Sequence, residues 1–159
     1  LAETYPDSLV WNYINQQVYL NNDRIMAMKL KKEDIETRIA EFMLQQEGVA
    51  SVVTGTQIRN NTYTDSINSK IQNGYYFQRS GDVIITLKPN WMEHAPTGTT
   101  HGSGYHYDSH VPLLWYGWNI KSGSSNEEVY ITDIASTLAS LLKIPAPNGC
   151  KGKVITLPR

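Results

Sequence analysis

The chain has 159 residues, 40% of them hydrophobic, and a formal net charge of −1 at pH 7. That is one domain's length with enough apolar material for a core, with no basic field to attract nucleic acid or anionic lipid and no apolar run able to span a bilayer. The single cysteine, Cys150, excludes an internal disulfide and a thiolate zinc site, and it lies in a turn-like segment without a nearby histidine.

In chain order, Leu9 to Leu20 favours extended structure, with Val10, Ile14, Val18 and Leu20 on one face. Asn21-Asn22-Asp23 reads as a turn, and Arg24 to Leu30 as a returning strand. From Lys32 the period becomes helical, with Ile35, Ile39, Phe42 and Met43 on one side, acidic residues in the first turn, and Gly48 as the stop. Val49 to Thr54 is a β-branched run suited to a strand. Thr64 predicts the cap of a shorter helix carrying Ile67 and Ile71 and ended by Gly74. Asp82 to Lys88 is the clearest strand in the sequence, and Val111 to Tyr116 reads as a further buried one. Thr132 predicts the cap of a last helix with Ile134, Leu138, Leu141 and Leu142 on one side, and Lys153 to Thr156 a final strand. Strands and helices alternate, which predicts an α/β architecture with helices on both faces of a sheet.

The chemistry concentrates after the strand at 82–88. All four histidines, His94, His101, His106 and His110, fall within seventeen residues, with Glu93 and Asp108 among them and Gly98, Gly102 and Gly104 freeing the backbone. Imidazoles grouped with carboxylates on a Gly-rich loop point to a metal or acid–base site. Three readings stay open on the residues alone. His101, His106 and His110 form a local site, although their spacing matches no standard metal motif; one of them joins ligands from elsewhere; or they are loop histidines bonded to backbone, the reading favoured for His94 and His106. Nucleophilic catalysis lacks a G-x-S-x-G elbow, and the Gly-rich stretch lacks the Gly-Lys-Ser/Thr ending of a phosphate-binding loop.

The run Thr100-His101-Gly102-Ser103-Gly104-Tyr105-His106-Tyr107-Asp108-Ser109-His110-Val111-Pro112-Leu113-Leu114-Trp115-Tyr116-Gly117 resembles the last metal-ligand segment of the alkaline phosphatase superfamily, which includes the nucleotide pyrophosphatase/phosphodiesterases. Three further segments are similar in the same order, 14–21, 80–89 and 133–139, and the likeness is greatest to the bacterial periplasmic PafA-like branch. The resemblance implies a three-layer α/β/α sandwich, of which residues 1–159 would be the C-terminal portion. It also implies a zinc-dependent phosphohydrolase in which a Thr or Ser, flanked by two zinc ions, attacks a phosphate ester through a phospho-enzyme. His101 would be a ligand of one zinc. Asp108 would accept from its second nitrogen, and His110 would either support the site or pack at the strand start.

No segment matches the family's nucleophile, its other zinc ligands or its basic phosphate clamp. The chain, which opens on Leu1 without an initiator Met, therefore reads as a piece of a longer protein, inactive by itself, whose partner is the missing N-terminal part. A periplasmic or secreted location follows from the resemblance, and the many tyrosines and tryptophans fit an exported protein. Such a piece should expose an apolar face or hide it by self-association. The alternatives are a phosphodiesterase or nucleotide pyrophosphatase of the same superfamily, and a non-catalytic module whose histidine loop is a whole metal or ligand site.

Overall fold

The computed structural model describes residues 9–64, 66–93, 97–117 and 120–157. The chain divides into two compact units, residues 1–111 and 112–159. In the first, β1 (Val10–Ile14) and β2 (Gln17–Leu20) form a hairpin rather than one extended run, with Ile14 opposite Gln17. Asn15 and Gln16 make the two-residue turn, both at positive φ (51° and 55°), which matches the twist of the flanking strands.

The predicted strand from Arg24 to Leu30 is instead α1 (Asn22–Ala27). The Asn21 side chain accepts from the Arg24 amide at 3.1 Å and Asp23 lies in the first turn, so cap and dipole outweigh the alternation. Helix α2 (Lys32–Leu44) follows as expected and buries Ile35, Glu36 and Ile39, but Phe42 is exposed. Strand β3 (Val49–Thr54) runs into α3 (Gly55–Asn60), an element the hydrophobic pattern does not announce. Its signal is polar: Thr54 and Gln57 form a reciprocal capping box. Fully buried Glu36 adds an acceptor at this helix start, taking the Thr56 amide at 3.2 Å.

Helix α4 (Ser66–Gly74) and strand β4 (Val83–Leu87) match the sequence reading. The strands form one sheet in the order β1-β2-β4-β3, and every neighbouring pair is antiparallel. An antiparallel sheet has no common carboxyl edge, so the rule that open parallel sheets bind ligands there does not apply. The core lies on one face, where Val83 and Ile85 pack with Ile35, Ile39, Val18 and Leu20. Asp82 fastens this sheet to α2: it accepts from the Leu20 amide at 2.7 Å and pairs with the Lys32 ammonium.

Two other expected strands are absent. Residues 111–116 are irregular and largely exposed, with Leu114 at 87% and Tyr116 at 102%. β-branched and aromatic residues suit a pleated, half-buried surface, but that surface needs a neighbouring strand, and none pairs with this run among the described residues. In the second unit, α6 (Asp133–Leu142) buries Asp133, Ser136, Thr137 and Ala139, while Leu138, Leu141 and Leu142 are exposed. Thr132 precedes it without a side-chain cap. The polar face holds residues 152–155 as an extended strap, not a strand. The Lys153 amide donates to Asp133 Oδ1 (2.8 Å), the Ile155 amide to Thr137 Oγ1 (2.9 Å), and Ser136 Oγ to the Gly152 carbonyl (2.7 Å). Gly152 runs so close to Thr132 that a Cβ would fall 2.0 Å from its carbonyl oxygen, which leaves glycine as the fitting residue.

Candidate functional site

On the sheet face away from α2, a cleft of about 560 Å³ opens beside Ile84 and Thr86, with α4 contributing Ile67 and Lys70 and the histidine loop contributing His101 and Asp108. The loop is held at its base by aromatic hydroxyls. Tyr105 Oη donates to the Leu87 carbonyl at the end of β4 (2.8 Å), and Tyr107 Oη accepts the Asn90 amide (3.2 Å). The two rings stack with centroids 5.7 Å apart. From α4, Lys70 Nζ donates to the Gly104 carbonyl (3.0 Å) and to Ser109 Oγ (2.9 Å). The sequence offered no sign of the Lys70 contact, because it joins residues more than thirty positions apart.

His101 is exposed at the cleft, on backbone flanked by Gly102 at φ 101°. Asp108 sits on α5 (His106–Ser109) and accepts the Ser103 amide through Oδ2 at 2.6 Å. That bond holds its carboxyl below the usual range, with the Gly102 amide and the charge of His101 as further, smaller causes. The expected His101–Asp108 hydrogen bond is not among those the described residues form; Asp108 instead shapes the turn that follows His101 by accepting the Ser103 amide. His110 is exposed, its amide bonded to the His106 carbonyl (2.9 Å) and its ring 4.7 Å from that of His106 between centroids. His94 lies outside the described residues. Glu93, at the cleft mouth, accepts from Tyr13 Oη and from Gln16 Nε2 (3.1 Å), and burial together with this carboxylate pushes the Tyr13 hydroxyl well above its ordinary value.

Whether these residues suit a metal depends on how many donors converge. Among the described residues, no three His, Cys, Asp or Glu side chains come together as a metal cage. What the cleft offers is one accessible imidazole with a carboxylate beside it. That fits a single ligand contributed to a larger set, not a complete centre.

No family model matches the chain. Sequence comparison finds 38% identity over 98% of it with the alkaline phosphatase PhoV of Synechococcus elongatus. The alkaline phosphatase PafA of Elizabethkingia meningoseptica is 37% identical over 94%. The crystal structure of wild-type PafA superposes on 97% of the chain with a TM-score of 0.88 at 35% identity. The chain belongs to the PafA/PhoV alkaline phosphatase family. It spans only 30% of PhoV and 28% of PafA, so it corresponds to part of such an enzyme. Among the described residues, no helix is long and apolar enough to cross a membrane.

Proposed function

We propose that this chain is the C-terminal portion of a zinc-dependent phosphomonoester hydrolase, and that it contributes His101 as one zinc ligand to a site completed by residues outside these 159. The observation that carries the reading is the combination of near-complete coverage of the chain with coverage of under a third of each relative. An alkaline phosphatase's part should lack most of the catalytic groups, and the chain offers one exposed imidazole at a cleft. The exposed apolar residues Val111, Leu114 and Tyr116 support the same reading, since such side chains in a whole protein would have cover. In the parent this portion would complete a three-layer sandwich, and the enzyme would act in the periplasm or outside the cell.

Bound zinc would lower the pKa of a water molecule and stabilise charge on the phosphoryl oxygens. The roles of the chain's own residues are narrower. His101 would present a neutral imidazole nitrogen to the metal, and the Asp108 carboxylate, ionised at neutral pH, would favour positive charge beside that imidazole. Lys70, Tyr105 and Tyr107 would hold the loop against β4 and α4 so that little ordering remains when the metal binds.

The test is turnover of an aryl phosphate by the 159-residue chain with added zinc. The expected result is no activity above background. Zinc-dependent turnover that survives purification and disappears in His101→Ala would overturn the proposal that the site needs residues from elsewhere.

A further inference from the structure

We propose that His106 and His110 form a second, surface metal site, a two-imidazole clamp for a borderline divalent cation such as nickel, copper or zinc, distinct from the role given to His101. The two residues stand four apart on one helical turn, which the His110 amide closes onto the His106 carbonyl at 2.9 Å. His106 opens α5 and His110 follows its last residue, so the single turn brings the two side chains to the same side. Both rings are exposed, with centroids 4.7 Å apart and planes inclined by 36°.

The separation is the deciding quantity. With a metal–nitrogen bond of about 2.0–2.1 Å, an ion sits about 3.2 Å from the centre of each imidazole it binds. Two rings at right-angled to tetrahedral positions on one ion then have centres about 4.5–5.2 Å apart. The observed 4.7 Å falls in that window, so the spacing of the two rings is compatible with a shared ion once a nitrogen of each is turned toward it. Neutral imidazole is a good ligand for these cations, and His110, the residue that ends α5 with φ −90° and ψ 98°, keeps the four-residue spacing from His106 at which two imidazoles can share an ion. The local charges pull in opposite directions. The Lys70 ammonium on Ser109 Oγ opposes a cation, and the Asp108 carboxylate on the same turn offsets it. Water would fill the remaining coordination positions, as expected of an exposed two-ligand site.

The test is a titration of the 159-residue chain with nickel ion, read by competition with a chromogenic chelator and by paramagnetic broadening of histidine ring protons. One equivalent should broaden the His106 and His110 signals together. His106→Ala and His110→Ala should each weaken binding by at least about tenfold, since even outer-shell changes cost 10–100-fold. The double variant should bind no more weakly than the singles by a further tenfold, and His101→Ala should leave the affinity unchanged. Circular dichroism of each variant checks that the fold is kept, which these exposed positions should allow. No binding at millimolar nickel, an affinity indifferent to His106→Ala or His110→Ala, or a loss caused by His101→Ala would each overturn the clamp. The proposed zinc-ligand role of His101 stands or falls separately, because this assay measures no turnover.

Discussion

On one face of the sheet, Val83 and Ile85 meet Ile35 and Ile39 of α2 and water is excluded; on the other, Ile84 and Thr86 remain half-buried beside the cleft that His101 lines. Successive residues of one strand thus serve opposite purposes, because strand side chains alternate between faces. The closed face supplies the stability. The open face borders the cleft lined by His101 and Asp108, and its loop is held by a few hydrogen bonds rather than by a core. The difference teaches where substitutions should be felt as unfolding and where as misplacement.

The sharpest contrast is Ile35→Ala against Ile84→Ala. Ile35 is 0% exposed, and its truncation should cost about 2–5 kcal/mol in urea unfolding. Ile84→Ala should cost about 1 kcal/mol. Equal losses would mean that the cleft face is as tightly packed as the core. Next comes Asp82→Ala, which strips the buried Leu20 amide of its acceptor and Lys32 of its partner, with an expected loss of about 1–3 kcal/mol. Lys70→Met should barely change stability, by less than about 1 kcal/mol for an exposed contact. It should nevertheless speed amide exchange at residues 103–110, because the loop loses its tie to α4.

The smallest effect concerns pH in the second unit. The Tyr130 amide, and after it the Lys153 amide, hold the Asp133 carboxyl below its ordinary value. A carboxyl with a lowered folded-state pKa stabilises fully above its unfolded value, and the contribution is lost as pH falls through the folded value. The strap at 152–155 should therefore loosen only in acid below about pH 4. Amide exchange at Lys153 across that range checks it, and Asp133→Asn should remove the pH dependence.

The same contrast sets what the sequence could reveal. Elements whose own residues carry a complete signal were legible: Ile35 and Ile39 at helical spacing, and the β-branched runs at 49–54 and 83–87. Elements defined by polar partners were not. Asn21 caps α1, and the Thr54–Gln57 box starts α3, while the apolar pattern at 24–30 pointed to a strand. In α6 the leucine stripe suggested the buried face, yet Asp133, Ser136 and Thr137 are the buried ones because they hold a backbone strap. Val111 to Tyr116 taught a third lesson. An apolar run indicates a surface that needs cover, and it cannot say which chain provides it. At the site, the clustering of histidines was visible, whereas their division into His101 at the cleft and a His106–His110 pair required the turn of α5.

The central proposal is that His101, and not its neighbours, would belong to the zinc site of a parent phosphatase. The direct measurement is kcat/KM for an aryl phosphate in the full-length enzyme carrying His101→Ala or His106→Ala, with folding verified for both. Loss of an outer partner at a metal site typically costs 10–100-fold, so removal of a direct ligand in His101→Ala should cost more than about 100-fold, while His106→Ala should stay within a few-fold of the unsubstituted enzyme. Comparable losses in the two variants, or a near-normal His101→Ala enzyme, would contradict the account.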